Sequence, residues 1–313
     1  MSFSADIKNE LARIETDKKC CMLAEIAGFI RMCGTVMLSG GGRLDLKLTT
    51  ENAAIARLFV KRIKSYFGVG ADLQIGQNTL LKKGHVYELT IGAESKAEQI
   101  LRETGILRVK EGCNYFPDDI FTDLIKTRCC KKAYLRGAFM GAGTISNPEK
   151  GYHLELVCNS LQLANDLKRL VNSFSLKSKV VNRKNNYIVY LKEGEQISDF
   201  LALLGAHNHV LEFENVRIIK ELRNKTNRIV NCESANLDKS INNAIRQIAD
   251  IRLIDSNQGI DSLPDKLREA ARLRLENPEA SLGQLADMAD PPLKKSGINH
   301  RFKKIREIAE KYK

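Results

Sequence analysis

A chain of 313 residues exceeds the usual size of one domain, and a prior of about 100–200 residues per domain points to two or three units, each able to bury its own core. With 50 Lys and Arg against 38 Asp and Glu the net charge is +12, which favours an anionic partner, either a phosphate backbone or an acidic membrane surface. The N-terminal stretch carries acids and lysines where a secretory signal needs an apolar core, and no apolar run reaches the ~18 residues of a bilayer span, so a cytoplasmic chain without a membrane partner is expected.

The first feature along the chain is an internal repeat. Ala24–Thr35 aligns with Ala133–Thr144 at a constant offset of 109, with Ala24/Ala133, Gly28/Gly137, Gly34/Gly143 and Thr35/Thr144 identical. Each copy continues into a polar turn (39–42 or 147–151), a strand with alternating apolar residues (Leu44, Leu46, Leu48 or Leu154, Leu156) and a helix. Short polar side chains at Thr50–Asn52 and at Asn159–Ser160 can cap those helices. A later strand (86–91; 187–191) and a last helix (97–103; 196–204) complete an αββαββα unit, in which one strand per copy is inferred mainly from the repeat. Ala24 and Gly28, and Ala133, Gly137 and Gly141, recur at four-residue spacing, which puts small residues on one helix face. Two readings remain open for that stripe. The helices pack on each other across a pseudo-twofold axis, or each packs separately on a sheet.

From about residue 225 the pattern becomes helical. Leu237, Ile241, Ala244, Ile245, Ile248 and Ile251 form one face of an amphipathic helix over 234–254, followed by a loop over 255–263. Three helices follow, over 264–276, 282–288 and 297–311. Ser281 and Gln284 fit a capping box, and Asp290-Pro291-Pro292 ends the short helix that it opens. Helix, break and helix at this spacing outline a helix-turn-helix. On its last helix Ile298, Phe302, Ile305, Ala309 and Tyr312 share an inward face. Residues 294–313 hold eight Lys and Arg against Glu307 and Glu310, a net of +6. The N-terminal part of such a helix enters the major groove, which makes Ser296, Asn299, His300 and Arg301 candidates for base edges. Lys294, Lys295, Lys303 and Lys304 suit phosphates. The alternative for this helix is docking on the protein's own body or on another protein.

The eight cysteines (20, 21, 33, 113, 129, 130, 158, 232) include two adjacent pairs but no C-x-x-C and no Cys/His group at zinc spacing, so reduced thiols and no metal or cofactor are expected.

The paired segments resemble the LAGLIDADG motif of homing endonucleases. The whole chain resembles the WhiA family of bacterial sporulation and cell-division regulators, which joins such a fold to a C-terminal helix-turn-helix. The closer resemblance lies in residues 133–139, 152–155, 231–237 and 296–301. It implies an α+β fold of two LAGLIDADG-like repeats (1–127 and 128–222) followed by an all-α DNA-binding domain (223–313).

In active nucleases of this kind each motif helix ends with a carboxylate that holds a divalent metal. Carried onto this sequence, those positions are Cys33 and Ala142, neither of which suits Mg²⁺. The motif's other acidic positions are Arg31 and Met140, and a cation at Arg31 is expected to repel a metal further. Glu25 lies about 12 Å along the helix from Cys33, too far to substitute. The expectation is a DNA-binding regulator, not an enzyme, acting on promoter DNA as a nucleoid-associated monomer. The resemblance implies control of sporulation, cell division or chromosome segregation genes, and in some relatives a WhiB-type iron-sulfur protein as partner. Alternatives are a metal-dependent endonuclease or RNA-splicing maturase, and an adaptor acting through protein contacts. Lys177, Lys179, Arg183, Lys184 and Lys192 near the second repeat's strands are either a DNA-facing surface or a solvated face.

Overall fold

The computed structural model describes residues 2–77 and 84–313. The chain divides into two compact units, 1–220 and 221–313. Unit one opens with α1 (Phe3–Leu11), which the repeat pattern does not announce. The first repeat follows as α2 (Lys19–Cys33), β1 (Gly34–Ser39), β2 (Arg43–Thr50), α3 (Ala53–Phe67), β3 (Asp72–Gln77), β4 (His85–Ile91) and α4 (Ala97–Glu103). A short hairpin, β5 (Arg108–Lys110) and β6 (Cys113–Tyr115), leads to the second repeat. That repeat is α5 (Arg128–Ala142), β7 (Gly143–Ile145), β8 (Leu154–Cys158), α6 (Leu161–Asn172), β9 (Lys179–Arg183), β10 (Asn186–Leu191) and α7 (Gly194–Leu204). Both repeats therefore run αββαββα, and their antiparallel sheets have equivalent strand orders, β1-β2-β4-β3 and β7-β8-β10-β9.

Local chemistry accounts for these elements. The Asn52 side chain accepts hydrogen bonds from the N–H groups of Ala54 and Ile55 and so caps α3, while Ser160 accepts from Leu163 and caps α6. Alternation places Leu46 and Leu48 of β2 on the buried face, where they pair in register with Ile91 and Leu89 of β4. In the second sheet Leu154 and Leu156 of β8 meet Leu191 and Val189 of β10 in the same way.

At the centre of the unit α2 and α5 pack with their backbones in contact. A Cβ placed on Gly28 would lie 2.2 Å from the Tyr134 carbonyl oxygen, and one on Gly137 would lie 2.0 Å from the Glu25 carbonyl oxygen. Gly141 faces Met32, whose Cβ would stand 2.9 Å away, and Ala24 and Ala133 are buried alongside. Gly34 and Gly143 have a separate role at the two helix-to-strand junctions. There a Cβ would meet the carbonyl of the last helical turn, Ile30 at 2.4 Å and Phe139 at 2.6 Å.

Helix α8 (His207–Gln258) is a single element of 52 residues, so the helix expected over 234–254 is only part of it. Its first turn is capped from α1. The Glu10 carboxylate accepts from the Asn208 N–H at 2.9 Å and the His209 N–H at 3.2 Å, and it also contacts the His209 ring. The apolar face expected over 234–254 is buried only in part. Leu237, Ile241 and Ile245 are exposed, and burial begins at Ala244 and continues at Ile251 and Ile254.

Unit two continues with α9 (Asp265–Glu276), α10 (Leu282–Asp287) and α11 (Lys295–Ala309). Its core gathers Ile251 and Ile254 of α8, Leu267, Ala270 and Ala271 of α9, Leu285 and Ala286 of α10, and Ile298, Phe302 and Ile305 of α11.

The backbone contact at Gly137 generates a stability prediction. A Gly137→Val chain has no flexible neighbour to displace, so it is expected to lose about 3 kcal/mol or more, at the upper end of overpacking costs. Gly151→Ala, where nothing lies within 4 Å of the new methyl, should unfold with the wild-type midpoint. Equal urea midpoints for the two variants would contradict the packing described.

Candidate nucleic-acid interface

The helix-turn-helix outline takes shape in unit two around local hydrogen bonds. Ser281 accepts from the Gln284 N–H while the Gln284 side chain accepts from the Ser281 N–H, which completes the capping box that starts α10. The Leu293 N–H donates to the Ala286 carbonyl at 2.8 Å and so closes the turn into α11. Ile298, Phe302, Ile305 and Ala309 are buried on one side of α11. Tyr312 departs from that pattern, because it lies beyond the α-helix and is partly exposed, with its hydroxyl donating to Gln258.

Lys294, Lys295, Ser296, Asn299, His300, Lys303 and Lys304 are all exposed at or along the opposite side of α11. Lys294 is the cap residue and Lys295 the first helical residue, so the helix begins slightly earlier than its apolar pattern indicates.

Arg301 stands apart from this set. Its guanidinium donates to Glu269 of α9 at 2.6 Å, and its side chain is only 12 % exposed. Glu269 also accepts the Asp290 N–H at 2.8 Å. Burial alone would raise the Glu269 carboxyl, but those hydrogen bonds and the Arg301 charge hold it below the usual carboxylate range. Arg301 thus serves as a tie between α11, α9 and the turn, which a sequence reading misses because Glu269 is 32 residues upstream.

Arg274 is a second tie with no sequence signal. Buried in the unit, it donates to the carbonyls of Ala280 (2.6 Å), Pro278 and Asn277 and to the Gln247 side chain (3.0 Å), and it stacks over Phe302.

In unit one the C-terminal ends of α2 and α5 hold no carboxylate at Cys33 or Ala142. The Cys33 thiol donates to the Phe29 carbonyl at 3.2 Å, and burial pushes its pKa up to about 12, which keeps it neutral. Met140 is fully buried. Arg31 does not act as a repelling charge beside Cys33. It is spent on the carbonyl oxygens of Pro117 (2.7 Å) and Gly105 (3.3 Å), where it anchors the segment between the repeats.

The cation that does approach Cys33 is Lys8 of α1, which also lies near Glu51 and over the Phe139 ring. Sequence reasoning had no access to Lys8, because α1 lies outside the repeat. On the second sheet Lys177, Lys179, Arg183, Lys184 and Lys192 are exposed, with Arg183 3.9 Å from Glu155.

Three family models match the chain in order. They are a WhiA N-terminal LAGLIDADG-like domain at 19–107, a WhiA LAGLIDADG-like domain at 131–223 and a WhiA C-terminal HTH domain at 226–309. A protein of Alkaliphilus metalliredigens named "Probable cell division protein WhiA" is 48 % identical over 311 residues, covering 99 % of this chain and 98 % of that protein. The chain belongs to the WhiA family.

A WhiA protein of Clostridium perfringens with the same name is 49 % identical over 310 residues, covering 99 % of this chain and 98 % of that one. In fold, the crystal structure of full-length DUF199/WhiA from Thermatoga maritima matches with a TM-score of 0.61 at 24 % identity, covering 100 % of this chain and 99 % of that one. The architecture of this WhiA-family chain is therefore α+β, with two LAGLIDADG-like domains followed by a helical HTH region.

Burial beside Cys33 lowers the Lys8 ammonium from its ordinary 10.5 to about 8. The folded chain releases this proton near pH 8 while the unfolded chain keeps it to 10.5, so this group's contribution makes stability rise with pH across that window. Lys8→Met removes the desolvation cost and is expected to stabilise the protein by about 1–3 kcal/mol at neutral pH, an advantage that shrinks as pH climbs above 8. Urea unfolding at several pH values measures this, and an advantage independent of pH would refute the assignment.

Proposed function

We propose that this chain is a sequence-specific DNA-binding transcriptional regulator of cell division, sporulation or chromosome segregation genes, carried on the nucleoid. In this reading its LAGLIDADG-like domains bind or support without cutting. The observation that carries the reading is the polarity of α11, where Ile298, Phe302, Ile305 and Ala309 are buried and Lys294, Lys295, Ser296, Asn299, His300, Lys303 and Lys304 stand exposed together. Asn299, Ser296 and His300 take base edges in the major groove, and the four lysines take phosphates. Arg301, held by Glu269, keeps the helix in position and does not reach the bases.

The division of labour follows residues 1–127, 128–222 and 223–313, the first two forming the inactive scaffold. Absence of a nuclease centre is supported by Cys33 and Ala142 at the two helix ends, because a neutral thiol and a methyl group cannot hold a hard divalent cation.

Incubation with promoter fragments and Mg²⁺ is expected to give retarded complexes and intact DNA, and metal-dependent cleavage would overturn the non-enzymatic reading. Asn299→Ala should relax base preference at one position, at a cost of about 1–3 kcal/mol on the preferred site. Lys303→Ala should weaken all sites alike and reduce the salt slope by about one. Arg301→Ala should instead lower the stability of unit two by about 1–3 kcal/mol through loss of a charged hydrogen bond. If Arg301→Ala kept wild-type stability and lost base discrimination, Arg301 would return to the reading set.

A further inference from the structure

The same offset that relates the repeats also relates their cysteine pairs, since Cys20 and Cys129, and Cys21 and Cys130, are 109 residues apart. Each pair lies in the first turn of its helix, α2 or α5. The packing of these helices brings the pairs together. The Sγ atoms of Cys20, Cys21 and Cys130 all lie within 4.8 Å of one another. Cys129, whose Sγ is 3.2 Å from the Thr127 hydroxyl, also interacts with the Cys21 thiol. Cys21 and Cys130 are buried, and Cys20 is exposed.

One disulfide uses two sulfurs, whereas an all-sulfur tetrahedral centre gathers three or four around one point, as Cys20, Cys21 and Cys130 are gathered here. With metal–sulfur bonds of about 2.3 Å, a tetrahedron has sulfur–sulfur edges of about 3.8 Å, so the Cys20, Cys21 and Cys130 sulfurs need contraction by about 1 Å or less, and Cys129, beside Cys21, has to turn in as the fourth ligand. We propose that Cys20, Cys21, Cys129 and Cys130 form a structural site for a soft tetrahedral cation of the Zn²⁺ type, which clips the N-terminal ends of α2 and α5 together. All-sulfur ligation selects against Mg²⁺ and Ca²⁺.

The surroundings suit the charge of such a centre. Four thiolates and one divalent cation carry a net charge of −2, and Lys18, Lys19, Arg128, Lys131 and Lys132 flank the two pairs in sequence. The N-termini of the two helices add further positive potential. Local zinc motifs do not announce the site, because neither helix supplies more than two ligands and those are adjacent.

The test uses the full chain purified under reducing conditions. Elemental analysis is expected to find about one zinc per chain, and the demetallated protein should take up Co²⁺ with the intense visible bands of tetrahedral thiolate coordination, displaced by Zn²⁺. Cys20→Ser/Cys129→Ser should lower metal content roughly tenfold, while Cys158→Ser/Cys232→Ser should leave it unchanged. The cobalt titration of the unaltered chain keeps the proposal testable even if a cysteine variant misfolds. Three results would overturn it: no retained metal with only weak octahedral cobalt absorption, equal metal loss in both double variants, or thiols found as inter-helix disulfides in protein kept anaerobic.

Discussion

The backbone contact between α2 and α5 is the constraint on which unit one depends. At Gly28 and Gly137 each helix touches a carbonyl of the other, which no residue with a side chain could permit. The contact also isolates Glu25, whose side chain is fully buried. It is held by Arg136 at 2.8 Å, with Arg62 at 3.9 Å and the Thr16 hydroxyl donating at 3.1 Å. A buried carboxylate is expensive to desolvate and is tolerated only when opposed charge and hydrogen bonds surround it. Here Arg136 comes from α5, while Arg62 reaches the Ile14 and Thr16 carbonyls, so one acid couples both repeats and the segment ahead of α2. One Glu25 oxygen lacks a protein hydrogen-bond partner, so part of its desolvation cost is not recovered by the ion group.

The repeats were legible because their signal is local and periodic. The alternating leucines and the caps at Asn52 and Ser160 act within a few residues, and the constant offset of 109 repeats those local signals in the second copy, so the equivalent strand orders follow. Contacts between partners far apart in the chain carry no such local signal. Arg301 faces solvent or Glu269 according to how α9 crosses α11, and no helical wheel contains that information. Arg31, which the motif position marks as a charge that repels a metal, is instead satisfied by carbonyls 74 and 86 residues downstream. The length of α8 was hidden for a different reason. Over 207–233 the chain carries few helix breakers but also no continuous buried face, so periodicity has little to detect where a helix is not packed along its length.

In unit two the position of α11 is set by side chains of α9. Arg274 gathers three carbonyls from the turn before α10 and stacks on Phe302 of α11, while Glu269 collects Arg301 and the Asp290 N–H. Both anchors reside on α9, so α9 determines where the exposed face of α11 points. In the proposed function base specificity requires positional accuracy within fractions of an ångström. A helix held only by apolar contacts could slide or rotate more readily than one also fixed by charged hydrogen bonds of defined geometry.

The two ends of the α2/α5 pair differ in chemistry for reasons that follow from helix length. Thirteen residues separate Cys20 from Cys33, about 20 Å at 1.5 Å per residue, so neither end can influence the other through direct contact. At the C-terminal ends the partial negative charge of the helix disfavours further anions unless a cation is present, and Lys8 supplies the nearby positive charge beside a neutral Cys33. At the N-terminal ends, where the helices carry partial positive charge, Cys20, Cys21 and Cys130 converge with Cys129 beside Cys21. The same helix pair that ends in Cys33 and Ala142 carries its cysteine pairs at the opposite end, where the helix dipoles point their positive poles.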